Sequence, residues 1–174
     1  MPQTVAIIGA GPLGRSLALR AARAGFRVFL EDILPSNLHH AQEYIREELS
    51  PAALPAVAFV STVEEAVRTA DLIVDCVPDE LESKLEILWL LDRMAPPHAI
   101  FATPTTRLSI TDLASCTYRP GKCVAIAAEP AALARTTGSH IEIRTTPDTA
   151  PETVALLESF WNALELAPRF ERVT

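Results

Sequence analysis

The segment VAIIGAGPLGRS, residues 5–16, constrains the fold more than any other part of the chain. An apolar run typical of a buried strand leads into glycines spaced GxGxxG, and the residues that follow have the pattern of a helix. In such a unit the first glycine permits a sharp turn, the second lets a pyrophosphate approach the backbone, and the third lets the helix pack closely. The alternative is a tight turn that binds nothing. We predict a dinucleotide-binding loop, with Gly9, Gly11, Pro12, Leu13 and Gly14 as its residues.

A carboxylate after the second predicted strand indicates which dinucleotide is bound. That strand covers residues 27–31, and Asp32 follows it, eighteen residues beyond Gly14. A carboxylate at this place can accept hydrogen bonds from the ribose hydroxyls, and it repels a 2′-phosphate. The sequence therefore predicts NAD as the cofactor rather than NADP.

Strand and helix patterns alternate along the whole chain. Strands are predicted at residues 4–8, 27–31, 57–60, 71–77, 100–103, 123–127 and 141–143, and longer helices at 12–24, 36–49, 80–94 and 151–164. Unbroken apolar strands joined by helices indicate parallel strands that are buried on both faces. We predict a single domain over residues 1–174, an α/β Rossmann-type fold with a doubly wound, mainly parallel sheet and helices on both faces. The expected helix N-caps are Ser36, Thr62 and either Ser109 or Thr111.

Charge and composition exclude several classes of partner. The net charge of −7 argues against nucleic acid, which requires a basic face. No apolar run approaches the roughly 20 residues that span a membrane, and the first strand begins too early to leave room for a signal peptide. Three cysteines without CxxC spacing indicate reduced thiols and no metal site. We expect a cytoplasmic protein with no membrane partner.

The central part of the chain resembles a known family. The run STVEEAVRTADLIVDCVPDELESKLEILWLLDRMAPPHAIFATPTTRLSITDLA is similar, almost without gaps, to the NAD-binding domain of the 3-hydroxyacyl-CoA dehydrogenases. The resemblance implies that Asp79, Lys84 and Thr105 contact the cofactor. It also implies that Thr106 orients the substrate and the nicotinamide. Considered without the family, Asp79 and Lys84 could instead form a charged pair on the exposed start of a helix.

The chain departs from this family at the catalytic histidine. The family continues its sixth strand into G-L-H-F-F-N-P, whereas this chain has VAIAAEPAA, so Ala127 takes the place of the general base. Loss of a general base lowers a rate by about 10²–10⁴-fold. The resemblance places Glu142, through an insertion, on the glutamate that orients that histidine, which leaves Thr106 and Glu142 as the predicted catalytic residues. Glu129 and His140 are candidates to replace the missing base.

Two parts of the family's proteins have no counterpart in the sequence. A helical domain that supplies substrate contacts and the dimer surface is absent, and residues 33–56 are too short for the helical excursion that helps to hold coenzyme A. An apolar surface that the helical domain covers in the family should then be exposed. We therefore expect a homodimer or a separate partner subunit.

Three functions follow as hypotheses. The first is an NAD-dependent, 3-hydroxyacyl-CoA dehydrogenase-like oxidoreductase that acts on an acyl-CoA-like substrate and is weak or inactive alone. The second is a non-catalytic NAD(H)-sensing or scaffolding subunit that acts with a partner chain. The third is a structural protein that binds no cofactor. The presence of Asp32 together with an intact glycine loop argues against this third hypothesis.

Overall fold

The structure is a computed structural model that describes residues 3–134 and 139–174. Within those residues it has eight strands and seven α-helices. In chain order they are β1 (Thr4–Ile8), α1 (Pro12–Arg23), β2 (Arg27–Glu31), α2 (Pro35–Glu48), β3 (Val57–Val60), α3 (Val63–Val67), β4 (Leu72–Asp75), α4 (Leu81–Met94), β5 (Ile100–Pro104), α5 (Ile110–Ser115), β6 (Cys123–Ala127), α6 (Pro130–Ala134), β7 (His140–Thr145), α7 (Pro151–Ala163) and β8 (Ala167–Arg172).

All described strands form one sheet in the order β3-β2-β1-β4-β5-β6-β7-β8. Every neighbouring pair is parallel except β6 and β7, which are antiparallel. The chain winds outward from β1 in one direction and then crosses back to β4, so the switch point lies between β1 and β4. Open α/β sheets bind ligands at the carboxyl ends of the strands at this point. The predicted Rossmann-type fold is confirmed.

Helices cover both faces of the sheet, each over its own hydrophobic core. Apolar side chains of α1, α2 and α7 pack on one face, where Leu17, Ile45 and Trp161 have no exposed surface. Those of α3, α4 and α5 pack on the other, with Leu91 and Leu113 among them. Because both faces are covered, the central strands are apolar throughout, as the sequence indicated.

The helix caps agree with the sequence at two places and differ at a third. The Thr62 hydroxyl accepts a hydrogen bond from the Glu65 N–H (3.3 Å), and Ser109, rather than Thr111, caps α5. Ser36 is not a cap, because α2 already begins at the preceding proline and Leu34 is its N-cap residue. Proline suits the first helical turn since its missing N–H would be unpaired there.

Two further elements differ from the sequence-based prediction. Helix α6 was not predicted, and β7 extends beyond residues 141–143 at both ends because it pairs with β6 on one side and β8 on the other. No helix in the described part of the chain is long and apolar enough to cross a membrane.

Candidate cofactor and catalytic site

The three glycines between β1 and α1 serve different geometric purposes. Gly9 has φ +103°, and a Cβ placed on it would lie 2.9 Å from the carbonyl oxygen of Cys76. A Cβ on Gly14 would lie 1.8 Å from the carbonyl oxygen of Gly9, whereas a Cβ on Gly11 would meet no atom of the described residues within 4 Å. Gly9 and Gly14 are therefore required by the fold, and Gly11 leaves open space where a ligand can approach the backbone.

Helix α1 begins at this loop, and no side chain of the described residues caps its N-terminus. Gly11 is the N-cap residue and Pro12 occupies the first turn. The first turn of an α-helix has N–H groups without partners in the helix and the positive end of its dipole, and both favour a phosphate. Leu13 and Gly14 carry N–H groups of this turn. The loop and the helix start together fit the pyrophosphate of a dinucleotide.

Asp32 holds the glycine loop against the end of β2. Its Oδ2 atom accepts hydrogen bonds from the N–H of Ala10 (2.8 Å) and the side chain of Asn37 (3.1 Å). Its Oδ1 atom accepts one from the N–H of Leu34 (2.8 Å). A carboxylate has about four lone-pair sites, so these bonds leave capacity for a ribose hydroxyl. The contact with ribose stays a prediction, and the structural bond to the loop is a second role that the sequence did not reveal.

Glu31 is a second, nearly buried carboxylate at the same end of β2. Burial, with a smaller contribution from the charge of Asp32, raises the pKa of Glu31 from 4.5 to about 7. The folded protein therefore holds a proton on Glu31 at acidic pH that the unfolded chain releases. Ionisation near neutral pH places two negative charges next to each other at this end of the strand.

We expect the Glu31→Gln variant to be more stable than the parent protein at pH 8. Because the folded-state pKa exceeds the unfolded value, the stability from Glu31 is complete below about pH 4.5 and is lost as the pH rises through about 7. A difference of about 2.5 pKa units limits the gain to about 3 kcal/mol. Urea unfolding at pH 5 and pH 8 measures it, with the exposed Glu158→Gln as control. The same pH dependence in Glu31→Gln and the parent would contradict the expectation.

Lys84 is wholly buried and pairs with an acidic residue of the neighbouring strand. Its Nζ atom lies 2.6 Å from Oδ1 of Asp75 and donates to the Asp75 carbonyl at 3.2 Å. Burial raises the pKa of Asp75 to about 6, against the opposing attraction of Lys84. The alternative interpretation, in which Asp79 and Lys84 form an exposed charged pair, is therefore wrong. A direct contact of Lys84 with the cofactor stays a prediction; in the structure its ammonium group supports the end of β4.

Asp79 and Arg107 join the loops that follow β4 and β5. The Nη2 atom of Arg107 donates to the Asp79 carbonyl at 2.6 Å, and its Nε lies 3.8 Å from Oδ2 of Asp79. The Oδ1 atom of Asp79 is buried and has no hydrogen-bond partner among the described residues. An unpaired buried carboxylate oxygen is costly, so a hydroxyl group of a ligand is the partner that this geometry favours.

The two predicted threonines after β5 face in different directions. Thr105 is nearly buried, and its hydroxyl accepts hydrogen bonds from the N–H groups of Leu108 (3.1 Å) and Arg107 (3.4 Å). Its carbonyl accepts a bond from Nη2 of Arg144 at 2.7 Å. Thr106 is exposed. The Thr105 hydroxyl therefore stabilises its own loop, and Thr106 is the residue whose hydroxyl is available to a ligand.

Ala127 and Glu142 lie opposite each other on adjacent strands. The antiparallel register of β6 and β7 pairs these two residues directly. Glu142 is exposed, and its Oε1 lies 3.9 Å from Nε2 of His140, which is 42% exposed and two residues earlier on the same strand. Side chains two residues apart on a strand share a face. A side chain larger than methyl at position 127 would project beside Glu142, whereas Glu129 lies beyond the ladder.

Comparison with known proteins identifies the domain. The family model described as the NAD-binding domain of 3-hydroxyacyl-CoA dehydrogenase matches residues 4–168. The chain belongs to this family. This NAD-binding domain is 33% identical over 175 residues to an L-carnitine dehydrogenase from Burkholderia mallei, covering 95% of this chain and 53% of that protein. It is 29% identical over 133 residues to a probable 3-hydroxybutyryl-CoA dehydrogenase from Bacillus subtilis, covering 69% and 46%.

A solved 3-hydroxyacyl-CoA dehydrogenase from Archaeoglobus fulgidus has the same fold. It superposes with a TM-score of 0.84 at 25% identity, covering 99% of this chain and 57% of that one. This NAD-binding domain thus spans about half the length of the curated relatives it matches.

The described residues fit NAD, the cofactor of this domain family. Gly11 leaves the space for the pyrophosphate and the start of α1 offers N–H groups, while Oδ1 of Asp79 has no donor within residues 3–134 and 139–174. The sequence missed the Asp75–Lys84 pair, the link between Arg107 and Asp79, and the bond of Arg144 to the β5 loop. Of these three contacts, only the Asp75–Lys84 pair could have been suspected from the sequence, because Asp75 is a charged residue at the end of an apolar strand.

Proposed function

We propose that this chain is the cofactor-binding part of an NAD-dependent oxidoreductase of the 3-hydroxyacyl-CoA dehydrogenase type, with weak or no dehydrogenase activity alone. The open space at Gly11, between two glycines that the fold requires, carries the cofactor half of the proposal. The weakness follows from Ala127, since a methyl group opposite Glu142 cannot accept a proton. The proposed substrate is an acyl-CoA-like thioester, and the proposed location is the cytoplasm.

In this proposal the main task of the chain's own residues is to bind the cofactor and to orient the substrate. When bound, NAD supplies a hydride acceptor for a carbon that bears a hydroxyl group. The start of α1 holds the pyrophosphate, and Oδ1 of Asp79 accepts a hydrogen bond from a ribose hydroxyl. Thr106 orients the substrate hydroxyl. His140 lies on the same face of β7 as Glu142, which orients it, and it is the group there that can accept a proton. Glu129 is the alternative proton acceptor.

Calorimetric titration with NADH and then NADPH tests the binding proposal. We expect NADH to bind at least about tenfold more tightly, because Asp32 repels a 2′-phosphate. Asp32→Ala should remove this preference. Since Asp32 also holds the glycine loop, the ratio of the two affinities is the decisive quantity, and Asn37→Ala is the control that removes one loop bond without removing the carboxylate. Equal ratios in Asp32→Ala and the parent would exclude Asp32 from ribose recognition.

The Ala127→His variant tests the catalytic proposal. The register places the new imidazole opposite Glu142, so we expect oxidation of a 3-hydroxyacyl-CoA by NAD to accelerate by about 10²-fold. The double variant Ala127→His/Glu142→Gln is the matched control, and its gain should be smaller because the imidazole loses its orienting carboxylate. If His140 is the present base, His140→Ala should abolish any residual rate in the parent protein.

The replacement at Ala127 also favours a second candidate, the NAD(H)-sensing or scaffolding subunit that acts with a partner chain. Such a subunit needs a loop that binds the cofactor but needs no general base. This chain has the glycine loop and has Ala127 in the place of the histidine. NADH binding together with an Ala127→His variant that gains no rate would favour this candidate. Absence of binding by either nucleotide would contradict both.

A further inference from the structure

Strand β8 presents an open edge of the sheet. Among the described strands it pairs only with β7. Ala167 and Val173 donate their N–H groups to β7-side carbonyls at 3.1 and 2.8 Å, which shows that the odd-numbered residues of this segment turn their backbone groups inward. Backbone groups alternate along a strand, so those of Pro168, Phe170 and Arg172 point outward. Such an edge is a template for another strand.

A second copy of β8 matches this edge when the two strands run antiparallel about Phe170. Phe170 then faces Phe170 of the second copy, and the two residues exchange N–H···O bonds in both directions. The N–H of Arg172 reaches the carbonyl of Pro168 of the second copy. Pro168 lacks an N–H, so it shortens the ladder without blocking these bonds.

The side chains of this arrangement are complementary by charge. Arg169 lies opposite Glu171 of the second copy, and Glu171 lies opposite Arg169. Within one chain the register already pairs Arg169 with Glu142 and Glu171 with Arg144. The four strands are β7 and β8 of each copy, and the charges of the residues that lie opposite one another across them alternate in sign. In order, these residues are Glu142 and Arg169 of one copy, then Glu171 and Arg144 of the second copy. Opposite charges directly across strands stabilise a ladder, and like charges destabilise it.

Other registers of the same strands lack this complementarity. Centring the pair on residue 169 places Arg169 against itself, and centring it on residue 171 places Glu171 against itself. The Phe170 ring, 36% exposed, lies in register with the buried Ile143 and hence on the α7 face. In the charge-matched register the two phenyl rings meet at the symmetry axis and cover apolar surface on both copies.

We propose that β8 is a homodimerisation edge, through which two copies join their eight-stranded sheets into one continuous sheet about a two-fold axis at Phe170. The dimer uses the outer edge of β8 in both copies, so association ends at two. It does not depend on the cofactor or on catalysis.

Sedimentation equilibrium of the full chain at about 1–100 µM tests the dimer, because this range detects dissociation constants in the micromolar range. We expect twice the chain mass for the parent protein at the upper concentrations. Glu171→Arg and Arg169→Glu should each be monomeric, because each places like charges across the axis. An equimolar mixture of the two variants should associate again, since the two arginines at these positions of one chain then face the two glutamates of the other.

The control variant and a second measurement separate pairing from folding. Glu158→Arg makes the same charge change at an exposed position of α7 and should leave the dimer intact. Amide exchange at Phe170 and Arg172 should be slower in the parent than in either monomeric variant, while circular dichroism stays unchanged. A parent protein that is monomeric throughout the range, or a Glu171→Arg variant that remains dimeric, overturns the proposal.

Discussion

Gly14→Ala is expected to destabilise the protein by about 3 kcal/mol or more and to abolish NADH binding. The added Cβ would lie 1.8 Å from the carbonyl oxygen of Gly9 and 2.9 Å from its carbonyl carbon, so the helix and the loop must separate. Overpacking against backbone cannot be relieved by a side-chain rotamer, and it costs at least as much as the about 1–3 kcal/mol typical of cores. Urea unfolding and calorimetric titration with NADH measure the two effects.

Gly11→Ala is the matched variant that separates folding from binding. Its Cβ meets no atom of the part of the chain that the structure describes within 4 Å, and the φ of Gly11 is −69°, so the free energy of unfolding should stay within about 1 kcal/mol of the parent. The methyl group would occupy the space assigned to the pyrophosphate, and we expect NADH affinity to fall at least about tenfold. Unchanged affinity in a folded Gly11→Ala protein would exclude this approach of the cofactor. Gly25→Ala, at the other end of α1, should leave affinity unchanged.

Lys84→Met is expected to cost about 3–5 kcal/mol of stability at pH 8, because it leaves Asp75 buried without its positive partner. Burial already raises the pKa of Asp75 to about 6, and loss of Lys84 raises it further. At pH 5 Asp75 can be neutralised by a proton, so the destabilisation should be smaller there than at pH 8. Urea unfolding at the two pH values measures the difference.

The double variant Asp75→Asn/Lys84→Met distinguishes support of the site from contact with the cofactor. Without either charge the interior needs no ion pair, so stability should recover at least in part. If Lys84 acts by supporting β4, NADH affinity should recover with stability. If Lys84 contacts the cofactor as the resemblance implies, affinity should stay low in the stable double variant. Equal destabilisation at pH 5 and pH 8 in Lys84→Met would contradict the burial of an unpaired carboxylate.

The fold could be predicted because its signals are local. Gly9 and Gly14 lie at spacings that only a close strand–helix packing requires, and the apolar strands alternate with capped helices along the chain. The two elements of the fold that the prediction missed also have local causes. Helix α6 is a short segment with little periodicity, and the cap of α2 shifted from Ser36 because proline favours the first turn.

The site could be predicted only in part, because its polar contacts join distant segments. Asp32 and the glycine loop were each predicted as cofactor elements, but the hydrogen bond between them joins residues 22 positions apart. The contact of Lys84 with the cofactor stays a prediction, and its ion pair with Asp75 could not be predicted, since burial of an ion pair depends on how α4 packs against β4. The pairing of Ala127 with Glu142 needed the β6–β7 register, which an insertion concealed in the sequence.

By itself the sequence determined the α/β class, the family and the cofactor, because glycine spacing, strand burial and a carboxylate after β2 are properties of short segments. The tertiary structure alone decided which side chains face the site. Register aligned Glu142 with Ala127, and helix packing buried Lys84. Among the residues that the structure describes, the outer edge of β8 has no partner strand and one oxygen of Asp79 has no hydrogen-bond partner. Those outcomes depend on distances between segments far apart in the chain, which only the packed sheet brings together.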